Sequence, residues 1–243
     1  MKSLSIIVPC YNYEKKIINK IYKLKKKIEK FNIKYEILII DDCSSDDTFF
    51  SLKKKFINKK NIVLLKNSYN RGKSYSVRRG LEISKYNHVL LIDCDLAYFE
   101  KINEIINKLK KRYDFVSVNR KLKKSKLVSR NLSLYQYLRH FLGQLVSNII
   151  KFSLKLNIDA CDTQAGLKGL KKTTFIKKNK FISNRFFLDL ELTYLFIKNK
   201  KKIYFVPVKY NISKNSSIKI FDLKNFSIVY ELTKVIYKYK RFK

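Results

Sequence analysis

Glycine is scarce in this chain, with five among 243 residues; proline is scarcer, with two, and tryptophan is absent. No glycine-rich phosphate loop opens the sequence, which argues against a nucleotidyltransferase. No Gly/Pro-rich linker and no internal repeat divides it, so one domain is expected. The four cysteines, Cys10, Cys43, Cys94 and Cys161, make no C-x-x-C pair and no metal-ligand spacing. They read as free thiols in a reducing compartment, packed at strand ends. Long apolar runs are missing too: none approaches the roughly 20 residues that cross a bilayer. The first apolar run is broken by Pro9 and Asn12, so no signal peptide is expected. Acidic residues number 19 against 55 Lys and Arg, a net charge of +36. Such a balance attracts anionic surfaces, although abundant Lys, Ile, Asn, Tyr and Phe is also the pattern an AT-rich genome writes. A hydrophobic fraction of 46% excludes a disordered chain despite 30% charged residues.

What is present alternates between strand and helix. Leu4 to Val8 is a short apolar strand stopped by Pro9. Glu14 to Phe31 carries Ile17, Ile21, Leu24 and Ile28 at helical spacing, with Lys on the other face. Tyr35 to Ile40 is a second strand, ending at Asp41-Asp42. Ser44 to Asp47 supplies cap chemistry for a helix to Phe56, and Asp46 and Asp47 read as caps. Asn61 to Leu65, His88 to Ile92 and Tyr113 to Val118 are further strands. Helices carrying Val77 and Leu81, then Ile102 to Leu109, separate them. This alternation predicts an α/β fold: a Rossmann-like, largely parallel sheet with helices on both faces and ligands beyond the strands' carboxyl ends. The second half reads as a long helix over 134–156, a polar loop over 159–166, a helix over 186–198, a strand over 203–208 and an amphipathic C-terminal helix from Asp222. His88 and His140 stand alone in their segments and read as packing or surface residues.

The stretch from His88 to Asp95 organises the rest. An apolar strand ends in Asp93 and Asp95, one residue apart. Alternation points both carboxylates to one side, where they repel unless a cation joins them. A divalent ion with a phosphate completing its oxygen shell suits the pair.

Five motifs then occur in order: Ile6-Ile-Val-Pro9-Cys-Tyr11-Asn12, Ile40-Asp41-Asp42-Cys-Ser44, Asn70-Arg-Gly72-Lys73, Asp93-Cys-Asp95 and Asp162-Thr-Gln-Ala-Gly166-Leu-Lys. Together they resemble the successive signatures of family-2 glycosyltransferases. The resemblance runs from about Ser3 to Lys219, and is nearest the branch that makes dolichyl- or polyprenyl-phosphate sugars, the dolichyl-phosphate β-glucosyltransferases in particular. It implies a glycosyltransferase A-type, metal-dependent, inverting enzyme using a nucleotide sugar, UDP-linked and carrying glucose. On the donor side it implies Pro9, Tyr11 and Asn12 around the nucleobase, and Asp42 accepting the uracil imide N–H. Asp41 would cap backbone amides. Lys73, at a helix start with free amides, would meet the diphosphate. Asp93, Cys94 and Asp95 would meet the donor, the two aspartates holding Mg2+ or Mn2+.

On the acceptor side the resemblance implies Arg120, Arg130, Arg139, Gln164, Ser217 and Lys219. A lipid phosphate is ionised at neutral pH and needs cations more than a base. Asp162 is the catalytic candidate, and would be the base if the acceptor were a glycan hydroxyl. Asp189 and Glu191 are similar to a Phe-Asp-x-Glu element; read alone, they are helix positions pairing with Lys or Arg. Relatives often carry Asn-Glu where Asn12-Tyr13 stands, with Glu14 one place late. Ala97 replaces a Gln common in the mannosyl branch. Residues 1–120 are expected to bind the donor, 121–221 the acceptor, and 222–243 to form the C-terminal helix. The expected place is the cytoplasmic side, peripheral at the inner face of a membrane, on an anionic surface. Whether a membrane-protein partner is needed stays open. A basic nucleic-acid-binding protein is the reading from another class. The aromatics follow buried periodicities and no nucleic-acid motif occurs, so no nucleic-acid partner is expected.

Overall fold

A computed structural model describes residues 1–128, 133–156, 162, 164–173, 176, 179–211 and 224–240, with the side chains of Lys15, Arg139, Lys224 and Asn225 outside the description. Seven strands make one sheet. The first half contributes β1 (Ser3–Cys10), β2 (Lys34–Asp41), β3 (Ile62–Lys66), β4 (His88–Ile92) and β5 (Phe115–Asn119). The second contributes β7 (Leu167–Lys171) and β8 (Ile203–Pro207); β6 (Lys126–Leu127) and β9 (Lys209–Tyr210) pair in a small separate ladder. The order across the large sheet is β3-β2-β1-β4-β7-β5-β8. The helices are α1 (Glu14–Glu29), α2 (Thr48–Phe56), α3 (Lys73–Ile83), α4 (Ile102–Lys110), α5 (Leu134–Leu154), α6 (Leu188–Lys198) and α7 (Lys224–Lys240).

The strands are apolar on both faces because both faces are covered. Ile6 and Val8 of β1 join one buried cluster with Ile17, Ile21 and Leu24 of α1 and Ile105 and Ile106 of α4. Ile7, between them, joins the opposite cluster with Val77 and Leu81 of α3, Leu188 and Leu192 of α6 and Leu232 and Val235 of α7. Alternation along one strand therefore feeds two cores.

The parallel strands agree with the sequence expectation, but β7 does not follow from it. It runs antiparallel between β4 and β5, with Leu91 opposite Lys168 and Ser117 opposite Lys168 on its other edge. Its sequence, Leu-Lys-Gly-Leu-Lys, is too polar to read as a central strand. The strand is tolerated because Lys168, 1% exposed, finds a carboxylate and a carbonyl inside. Gly169 is required there for space: a Cβ would stand 2.5 Å from Ile105 Cγ2 of α4.

Candidate active site

The carboxyl ends of β1, β2 and β4 meet at one rim. Pro9 is buried in the β1 ladder opposite Ile40, and Tyr11 emerges beyond it, 48% exposed. Asn12 takes a left-handed φ of +48°, which Asn tolerates better than most residues. Its amide donates to Ser44 Oγ at 2.9 Å, and its side-chain Oδ1 accepts the Ser45 amide at 2.9 Å. Asn12 thus fastens the β1 loop to the β2 loop. Asp41 is fully buried and accepts the Ser44 amide at 3.1 Å and the Ser44 hydroxyl. Asp46 accepts the Thr48 amide at 3.1 Å and the Glu14 amide at 3.3 Å, capping α2 and holding the start of α1. Burial pushes the Asp46 carboxyl up, and the Thr48 and Glu14 bonds outweigh it, leaving its pKa lowered. Asp47 occupies the cap position of α2 without a side-chain cap bond.

Asp42 is buried beside Asn67. Its Oδ1 accepts Asn67 Nδ2 at 2.7 Å and the Arg71 amide at 3.0 Å; its Oδ2 accepts the Gly72 amide at 2.7 Å. A carboxylate offers about four lone-pair directions, so one on Oδ2 is left for a ligand. Arg71 lies over Tyr75, 3.8 Å from its ring centroid, and donates to the Tyr75 hydroxyl at 2.8 Å.

Lys73 opens α3, as expected, but the amides there are not free. The Ser74 amide donates to the Arg185 carbonyl at 3.2 Å and the Tyr75 amide to the Asn184 carbonyl at 2.8 Å. A chain segment distant in sequence caps this helix, which the local residues could not reveal. The charge of Lys73 is placed differently: Nζ lies 2.6 Å from Asp93 Oδ1. Burial works against the ammonium, yet Asp93, Asp189 and Asp95 outweigh it and raise its pKa.

Asp93 Oδ2 faces Gly166, where a Cβ would stand 2.3 Å from that oxygen. The Asp93 amide donates to the Gly166 carbonyl at 3.1 Å, so β4 continues to pair with the β7 approach. Asp95 is exposed; its Oδ1 accepts the Ala97 amide at 2.8 Å and its carbonyl accepts Lys20 Nζ at 2.9 Å. Cys94 lies between them, its thiol pushed up to about 12 by burial and by the two flanking aspartates. Among the described residues no group of three or more His, Cys, Asp or Glu could hold a metal. Among the described residues, Asp93 Oδ2 and Asp95 Oδ2 have no hydrogen-bond donor, while Asp93 Oδ1 meets Lys73 and Asp95 Oδ1 the Ala97 amide. That donor set fits a hard ion that takes its remaining ligands from diphosphate and water, and does not fit an all-protein cage.

Asp162 is 5% exposed and gripped by one residue. Arg120 donates its amide to Oδ2 at 2.6 Å, Nε to Oδ2 at 3.1 Å and Nη2 to Oδ1 at 2.7 Å. Burial would raise the Asp162 pKa; the Arg120 bonds and charge, with Lys168 behind them, reverse this and hold it below the ordinary carboxylate value. Gln164 Nε2 donates to the Phe186 carbonyl at 3.1 Å. Lys121 Nζ reaches Gln144 Oε1 of α5 at 3.0 Å, and Arg120 and Lys121 lower the pKa of His140 after burial has done most. Arg130, Ser217 and Lys219, and the side chain of Arg139, lie outside the described residues.

Asp189 and Glu191 pair with lysines, as helix acids read alone were expected to, but sequence reading gave no role to their partners Lys168, Ser183, Lys238 and Tyr239. Lys168 Nζ lies 3.1 Å from Asp189 Oδ1, and the charge of Asp189 also helps raise the pKa of Lys73. Glu191, fully buried, accepts the Ser183 amide at 3.0 Å and the Tyr239 hydroxyl at 3.0 Å, and pairs with Lys238 at 3.5 Å. The signal was available only as acids inside apolar helices, which pairing partners far along the chain explain.

A family model described as glycosyl transferase family 2 matches residues 5–164. The dolichyl-phosphate beta-glucosyltransferase of Dictyostelium discoideum is 29% identical over 97% of this chain and 74% of its own length. Among solved structures, mannosyl-3-phosphoglycerate synthase from Rubrobacter xylanophilus superposes with a TM-score of 0.69 at 15% identity, covering 98% of this chain and 75% of that one. Glucosyl-3-phosphoglycerate synthase from Mycobacterium tuberculosis, solved with Mn2+, UDP-glucose and phosphoglyceric acid, superposes at 0.64 with 13% identity, covering 97% and 80%. These two likenesses establish the fold, of the glycosyltransferase A type.

Proposed function

Because this chain belongs to glycosyl transferase family 2, we propose that it moves a glucosyl group from a UDP-sugar to a polyprenyl or dolichyl phosphate, inverting the anomeric carbon. The observation that carries the acceptor is the Arg120–Asp162 pair. A hydroxyl acceptor needs a general base with a pKa near the working pH. Asp162 accepts three hydrogen bonds from Arg120 and is held ionised with a depressed pKa. An ionised lipid phosphate needs no base; it needs a cation, and the Nη1 group of Arg120 is not used by Asp162. The similarity to dolichyl-phosphate beta-glucosyltransferases over most of the chain supports the same acceptor.

In this reading Tyr11 lies on the uracil face beside Pro9 and Asn12, Asp42 accepts its imide N–H, and Lys73 compensates the diphosphate. Asp93 and Asp95, flanking Cys94, hold Mg2+ or Mn2+, which when bound stabilises the leaving diphosphate as a Lewis acid. The Mn2+ and UDP-glucose of the Mycobacterium tuberculosis synthase support that donor and ion. A phosphate oxygen of the acceptor bonds to the anomeric carbon, the carbon–oxygen bond to UDP breaks, and UDP leaves with that electron pair. Arg120, with Arg130, Arg139, Gln164, Ser217 and Lys219, orients the acceptor. Residues 1–120 serve the donor and 121–221 the acceptor.

The site works at the inner face of a membrane in this proposal. Among the described residues no helix is long and apolar enough to cross one. Leu134, Leu138, Phe141, Leu145, Ile149 and Phe152 form an exposed stripe along α5 instead.

The test is UDP release by the purified full chain with UDP-glucose and Mg2+ or Mn2+, with and without a short polyprenyl phosphate, beside Asp95→Ala. Lipid-dependent release that Asp95→Ala abolishes is expected. Nucleotide binding without lipid-dependent turnover would overturn the acceptor, and transfer to a sugar hydroxyl would replace it. No nucleotide binding would overturn the donor.

A further inference from the structure

Glu231 is the one acid in α7, a helix otherwise charged by lysines. Its carboxylate collects a whole turn. Oε1 accepts the Ser183 hydroxyl at 2.7 Å, the Asn184 amide at 2.5 Å and the Arg185 amide at 2.8 Å; Oε2 accepts the Phe186 amide at 3.2 Å. Three successive amides converge on one anion, a concave arrangement that backbone N–H groups favour. With its amides turned toward α7, this turn presents its carbonyls to α3. There the Asn184 and Arg185 carbonyls take the Tyr75 and Ser74 amides at 2.8 and 3.2 Å.

The start of α3 depends on those carbonyls. Gly72 occupies its cap position, with a φ of +97° and no side chain to cap with. A Cβ at Gly72 would stand 2.6 Å from the Asn184 oxygen, so the two segments are in direct contact. On the far side, Asp42 holds the Arg71 and Gly72 amides. Residues 71–75 are therefore clamped between Asp42 and the 183–186 turn. Lys73 is the centre of the clamped segment, with its ammonium 2.6 Å from Asp93.

We propose that Glu231 is a positioning residue for the donor site: by holding the 183–186 turn it fixes the helix start that carries Lys73. The proposal rests on the reading of Lys73 as a diphosphate contact. It makes α7 a working part of the donor site. Glu231→Gln keeps the shape, removes the charge and turns an NH2 group toward amide donors, so part of the turn loses its acceptor.

Two measurements on the full chain test it. The first is hydrogen exchange in the free protein: in Glu231→Gln the 72–76 amides exchange faster while β1 does not change. The second is UDP affinity by calorimetry with Mn2+ in a double-mutant cycle of Glu231→Gln and Lys73→Met. Each single change is expected to weaken UDP by about tenfold. The double variant should bind no more weakly than Lys73→Met alone, because one change acts through the other. Unchanged exchange at 72–76, or losses that multiply in the double variant, would overturn the proposal. Altered exchange with no UDP binding even by wild type would sustain the link from Glu231 to α3 and sink the donor reading. Should Glu231→Gln not fold, Glu231→Asp, which keeps the charge on a shorter arm, goes through the same cycle with the same outcomes.

Discussion

Gly166 shows how closely single residues are fitted here. Its missing side chain lets Asp93 bring a carboxylate against the backbone, 2.3 Å from where a Cβ would be. Gly166→Ala must push Asp93 aside, and with it the contact to Lys73. A displacement of about 1 Å can cost about 100-fold in rate. We expect that loss in metal-dependent UDP release, with the melting temperature nearly unchanged; activity within twofold of wild type would show that Asp93 is not needed in this position. The motif containing Gly166 was legible in sequence, but its reason was not. Only the pairing of β4 with β7 brings residue 166 onto residue 93. Asp42 and Asp162 make the same point. Both were identifiable as strand-end or motif carboxylates. That Asp42 holds the Arg71 and Gly72 amides and Asp162 a bidentate Arg120 depends on loops that converge in space.

At the scale of elements, helices and parallel strands were readable because their apolar residues repeat at 3.6 and 2. What escaped was β7, whose two lysines and glycine disguise a central strand. Helix α3 was readable as a helix but not in how closely it approaches the sheet. Gly80 faces β1, and a Cβ there would stand 2.6 Å from Ile7 Cγ2 and 3.1 Å from Ile40 Cδ1. Gly80→Ala should therefore destabilise despite the better helix propensity of alanine. Overpacking of this kind costs about 1–3 kcal/mol, against about 1 kcal/mol gained in propensity. A net fall of about 2–4 °C in melting temperature is expected for a chain of this length. A rise would mean that α3 can withdraw from the sheet without cost. Because α3 carries Lys73, the same variant should also weaken nucleotide binding.

At the scale of the whole molecule, the proposed membrane docking rests on charge and exposed apolar surface together. The chain carries a net charge of +36, and the apolar stripe of α5 is exposed among the described residues. Each basic residue close to an anionic surface contributes about 1 kcal/mol, screened by salt. Co-sedimentation with phosphatidylserine vesicles should be strong at low salt, fall as salt rises, and exceed that with phosphatidylcholine. Phe141→Ser with Phe152→Ser, both more than half exposed, should weaken binding at every salt concentration. Binding that ignores both salt and these changes would remove the membrane from the proposal.

The sequence by itself determined the α/β alternation, the two covered faces, the rim of strand-end carboxylates and the family. Local periodicity and short motifs encode these, because each depends on residues a few positions apart. The tertiary structure decided which partner each buried or rim charge finds: Lys73 with Asp93, Lys168 with Asp189, Arg120 with Asp162, and Glu231 with the amides of the turn before α6. Those choices follow from desolvation. A charge carried into the sheet's rim must find a partner there, and the partner is whichever residue the crossing of distant segments delivers.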